Sequence, residues 1–65
     1  MKKTYKGYIE LSSDNRLMAT KDCKTKTVAI QKLKYIARKD PQITWIGVYL
    51  VVDGDVTNLV YEEKV

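Results

Sequence analysis

Ile43-Thr44-Trp45-Ile46-Gly47-Val48-Tyr49-Leu50-Val51-Val52 is the longest apolar run in the chain, and its reading decides the fold. β-Branched and aromatic residues fill it, Pro41 stands just before it and Asp53-Gly54 just after it. Such a stretch reads as a well-buried strand. Its even positions (Ile46, Val48, Leu50, Val52) are uniformly aliphatic. Its odd positions (Ile43, Trp45, Tyr49, Val51) are nearly as apolar. Alternation sends the two sets to opposite faces of a sheet, so both faces of this strand call for cover.

Downstream, Asp53-Gly54 is the signature of a two-residue type I′ hairpin turn. The return strand then spans about Val56 to Glu63. With that loop, Val52 is expected opposite Asp55, Val48 opposite Leu59 and Ile46 opposite Tyr61. On the other face Val51 would meet Val56, Tyr49 would meet Asn58 and Trp45 would meet Glu62. A slip of one residue reassigns all of these.

Upstream the period changes. Ala29, Ile30, Leu33, Ile36 and Ala37 fall at the spacing of one helical stripe, the side that faces a core. Thr25 or Thr27 supplies the N-cap. The helix ends before Asp40-Pro41, because a residue ahead of proline is pushed out of the α region. Arg38 and Lys39 in the last turn suit the negative end of the helix dipole. Further back, residues 4–11 alternate, with Tyr5, Gly7, Ile9 and Leu11 on one side and Thr4, Lys6, Tyr8 and Glu10 on the other. That is a half-buried strand. Ser12-Ser13-Asp14-Asn15 is turn-forming, and Arg16 to Asp22 reads as a shorter return strand.

The order is therefore ββαββ within one α+β domain over 1–65. A right-handed crossover from the second strand to the third gives a four-stranded antiparallel sheet in the order 2-1-3-4, with one helix packed on one face. One helix shelters one face only. The face of Trp45, Tyr49 and Val51 is left to find another neighbour.

Composition narrows the class. At 65 residues the chain is near the lower limit for independent folding, where a partner or self-association often adds to a small core. A single cysteine, Cys23, excludes an internal disulfide framework and suits a reducing cytoplasm. It reads as a small structural residue in the strand–helix connection. No apolar segment near the N-terminus resembles a signal peptide, and the run at 43–52 is too short for a transmembrane helix. A soluble, cytoplasmic protein with no membrane partner is expected.

The net charge of +4 is unevenly spread: residues 1–39 carry +8 and residues 40–65 carry −4. Such a split suits an acidic partner or nucleic acid, or simply a lysine-rich solvated face.

The chain has no histidine, so His-based metal sites and Ser–His–Asp or Cys–His catalysis are excluded. Gly7, Gly47 and Gly54 are isolated, and no phosphate-cradling loop is formed from them. Asp53-Gly54-Asp55 lacks the remaining ligands of a calcium loop. Neither metal, cofactor nor small-molecule substrate is indicated. A non-enzymatic protein is expected.

Binding remains, and three surfaces compete for it. The first is the second sheet face, with Trp45, Tyr49 and Val51, adjoined by Tyr8 and Lys6; exposed aromatic patches on small domains mark protein interfaces, including self-interfaces. The second is the outer helix face, where Tyr35 stands with Gln31 among Lys32, Lys34, Arg38 and Lys39; a ring among cations suits nucleic acid. The third is the helix start, where Lys24 and Lys26 flank Thr25 beside free backbone N–H groups and suit an anion. A lysine-rich loop with a threonine cap explains the third surface more simply. A protein-binding module acting through Trp45 and Tyr49 leads, in the manner of an inhibitor, an adaptor or an accessory protein of a phage or mobile element, with homodimerisation through that face as a variant. Nucleic-acid binding through the basic helix, with the helix-start lysines, is the alternative.

Overall fold

The computed structural model describes residues 2–12 and 17–65. Its elements are β1 (Lys3–Leu11), β2 (Leu17–Cys23), α1 (Lys26–Lys39), β3 (Ile43–Val52) and β4 (Asp55–Lys64). The strands form one antiparallel sheet in the order β2-β1-β3-β4, and the helix packs on one face of it. Ser13-Asp14-Asn15 and Arg16, read as a turn and the start of the return strand, lie outside the described residues.

The helix forms where its stripe and caps coincide. Thr25 is extended, and its hydroxyl accepts from the Val28 N–H at 3.2 Å, which satisfies one of the free donors of the first turn. At the other end the Asp40 N–H donates to Ile36 O, and the Asp40 carboxylate accepts from the Gln42 N–H at 3.0 Å. That Asx-type turn swings the chain into β3. Ala29 and Leu33 are buried against the sheet, and Ile30, Ile36 and Ala37 are partly so.

The core lies between this stripe and the facing strands: Ile9, Cys23, Ile43, Ile46 and Val48. Leu33, Ile46 and Val48 are fully enclosed, each a contribution of about 1.5–3 kcal/mol from side-chain burial. Gly7 lets the helix come this close. A Cβ there would stand 2.9 Å from a Leu33 methyl and 2.8 Å from the Thr20 hydroxyl oxygen. Cys23 closes β2, one residue before the connection expected for it, and is buried.

Register shifts interrupt all three strand pairs, that of β1–β2 falling between Lys6 and Tyr8. Ile43, assigned to the face of Trp45, is instead in the core, because the β1–β3 register shifts between Glu10 and Leu11. Leu11 pairs with Ile43 while Glu10 pairs with Trp45, so Thr44 is the extra residue. An extra residue turns the strand end over.

The β3–β4 register also departs from expectation. The turn is as read: Asp53 and Gly54 both have positive φ (50° and 87°), Val52 pairs with Asp55 and Val51 with Val56. Two irregularities then intervene. Tyr49 pairs with Leu59, not Asn58; Val48 with Tyr61, not Leu59; Ile46 with Glu63, not Tyr61; and Trp45 with Lys64, not Glu62. β4 has gained two residues on β3. A gain of two leaves Tyr61 on the helix side, now opposite Val48, while Leu59, caught between the two irregularities, turns to the open face.

Candidate protein-binding surface

The open face is laid out by the pairings. β1 contributes Thr4, Lys6, Tyr8 and Glu10; their β3 partners are Val51, Tyr49, Gly47 and Trp45. Gly47 is the pivot. The Trp45 ring folds along its own strand and occupies the space a Cβ at Gly47 would take. Gly47 pairs with Glu62 on β4, so the folded indole reaches that carboxylate and its Nε1–H donates to Oε2 at 3.2 Å. On the other flank Gly47 pairs with Tyr8, whose ring meets Tyr49 edge-on, centroids 5.1 Å apart and planes at 81°. This T-shaped geometry is a favoured aromatic arrangement.

The expected residues thus come together, in unequal roles. Trp45, Tyr8 and Tyr49 are half-buried. Val51 is only 3% exposed and supports the patch from within. The Lys6 ammonium lies 3.7 Å from Asp22, whose other oxygen accepts from the Thr4 hydroxyl at 3.0 Å. Lys6 is therefore a tethered rim cation. Sequence reasoning missed Leu59 and Val56, which pair with Tyr49 and Val51 and are 41% and 45% exposed. Their signal was the uncharged run Val56-Thr57-Asn58-Leu59-Val60-Tyr61 on an edge strand.

The basic helix face proves to be two surfaces. Lys32, Tyr35 and Lys39 share one flank with Gln31 and Ile36, and the Lys39 ammonium stands 4.5 Å from the centre of the Tyr35 ring. Tyr35 is 58% exposed. Lys34 and Arg38 turn the other way, toward β4. Lys24 and Lys26 sit at the opposite end of a 14-residue helix, about 20 Å from Lys39.

Among the described residues there is no cluster of His, Cys, Asp or Glu able to hold a metal ion, and no buried polar or charged side chain. Among the described residues, no helix is long and apolar enough to cross a membrane. In comparisons with known proteins, no family model matches the chain, no curated protein matches it and no solved structure matches it.

Proposed function

We propose that the protein is a non-enzymatic binding module that docks a protein partner on the open face of its sheet. Trp45 and Tyr49 are its anchors, Tyr8 extends them, Lys6 stands at the rim and Val51 backs the patch. The observation that carries this reading is the half-exposed Trp45–Tyr8–Tyr49 cluster bordered by exposed Leu59 and Val56, on the face opposite the helix. Large aromatic side chains held in place by neighbours lose little entropy on binding, which is why they dominate interface energetics. Inhibitor, adaptor and accessory roles all fit such a module, and a cytoplasmic setting suits the free thiol of Cys23.

The test is recovery of partners on immobilised protein, with nuclease present, for the native chain and for Trp45→Ala with Tyr49→Ala. A protein retained by the native chain and lost by the double variant is the expected result. Equal retention rejects the assignment. A homodimer through the same face is separated by sedimentation, where the double variant shifts toward monomer.

A second reading has its own observation: Tyr35, widely exposed and topped by Lys39 beside Lys32, is the arrangement that suits a nucleic-acid base and its phosphates. Binding there falls steeply with rising salt and is lost in Lys32→Glu. Absence of any DNA or RNA retardation at low salt removes this reading.

A further inference from the structure

The footprint of α1 falls on β3, β1 and β2, and a groove of about 320 Å³ opens between the C-terminal half of the helix and β4. Half-buried Ala37 and Val65, 61% exposed, give it apolar surface, with the enclosed Ile46 beneath them. Lys34 and Arg38 stand four residues apart on the helix wall. Lys64 borders the strand side, but it pairs with Trp45, so its side chain belongs to the open face. Glu63 also lines the groove, with its carboxylate accepting from the Tyr61 hydroxyl at 3.3 Å.

The two helix cations are not explained by the fold. The one ion pair among the described residues is Lys6–Asp22, on the open face, so Lys34 and Arg38 have no carboxylate of the described residues within ion-pairing distance. Like charges four apart on a helix repel, so the pairing of Lys34 with Arg38 costs the isolated helix stability. An apolar slot rimmed by unpaired cations is complementary to the reverse pattern. We propose that this groove docks an acidic segment of a partner protein, with one aliphatic side chain against Ala37 and Val65 and flanking carboxylates at Lys34 and Arg38. Arg38 is suited to a carboxylate because its guanidinium can donate to both oxygens at once. Nucleic acid is the weaker match: the groove has no aromatic lining to stack a base, since Tyr35 is on the other flank of the helix. The surface is across the sheet from Trp45 and Tyr49, so the proposal goes beyond the open-face reading and stands apart from it.

Fluorescence anisotropy tests it on the full chain. The probes are a fluorescein-labelled short peptide of aspartates around a central leucine, the same peptide with glycine at its centre, and a labelled thymidine oligonucleotide. The leucine peptide is expected to bind saturably, and the glycine peptide about tenfold more weakly. Lys34→Glu and Arg38→Glu are solvent-exposed changes that leave the core intact, and each is expected to weaken leucine-peptide binding about tenfold. Trp45→Ala with Tyr49→Ala is expected to leave that binding unchanged, which separates this surface from the open face. The proposal is overturned by no saturable binding of the leucine peptide, by equal binding of the glycine peptide, by indifference to both charge reversals, or by an oligonucleotide that binds as tightly.

Discussion

Trp45 and Gly47 are locked together: the indole of one lies where the side chain of the other would be. The arrangement keeps a large ring flat on a face that has no helix above it, and it delivers Nε1 to Glu62. Gly47→Ala should therefore displace the ring, at a cost of about 1–3 kcal/mol, the usual penalty for overpacking. Urea unfolding measures the loss and tryptophan emission reports the move by shifting to longer wavelength. In a Trp45→Ala background the same glycine change should be nearly silent, because nothing remains to collide with. Additive losses in that cycle would reject the lock.

Glu62→Ala removes the indole's acceptor without touching the core. The bond is exposed, so its loss should lower stability by no more than about 1 kcal/mol. Near-ultraviolet circular dichroism of Trp45 should nevertheless weaken, as the ring gains freedom. An unchanged spectrum would mean that Gly47 and its neighbours alone hold the indole.

Leu33→Ala attacks the centre of the core. The side chain is enclosed between the helix and the Gly7 position of β1, and the cost of emptying such a site is about 2–5 kcal/mol. For a domain of this size that approaches the whole stability, and the variant should be largely unfolded at room temperature by far-ultraviolet circular dichroism. A cooperative transition close to the native midpoint would contradict the assigned packing.

The helix start offers changes in both directions. Thr25→Ala should cost about 1 kcal/mol, by orphaning the Val28 N–H. The first turn holds no acidic residue, and Lys26→Glu should add about 0.3–1 kcal/mol by favouring the helix dipole. Thermal midpoints of the two variants should move in opposite senses.

The β4 register is open to direct observation. Proton–proton cross-peaks are expected between Tyr49 and Leu59 and between Val48 and Tyr61. Peaks joining Val48 to Leu59 instead would restore the regular hairpin and take Leu59 off the open face.

Much of the architecture was legible because different signals agreed. The helical stripe ending at Asp40-Pro41, the Asp53-Gly54 turn and the alternation of residues 4–11 each pointed to one element, and handedness ordered the strands. What escaped was where alternation breaks. Thr44 and the middle of β4 carry no glycine or proline to mark an extra residue, so Ile43 was placed on the wrong face and the lower half of the hairpin was misregistered. The aromatic residues of the candidate surface were found because the extra residues of the hairpin fall on β4 and leave alternation along β3 intact from Trp45 to Val52. Leu59 and Val56 were not, since one depends on the shifted register and both were read only as strand residues. The division of the basic helix into two flanks was readable from helical spacing: Lys32, Tyr35 and Lys39 share one side, and Lys34 and Arg38 another, about 100° round the axis.

The backbone exchange between Lys2 and Asp53, with Asp53 N–H on Lys2 O and Lys2 N–H on the Asp53 carboxylate, moors the start of β1 to the hairpin tip. Val65 is tied to Thr44 at the far end, on the order of 25 Å away along the strands. A bead or dye attached ahead of residue 2 would hang off the hairpin end and leave both the tryptophan and the cationic slot free. The same label after residue 65 would sit in the mouth of that slot, so a negative result from a tail-anchored preparation would reflect the anchoring before it reflected the protein.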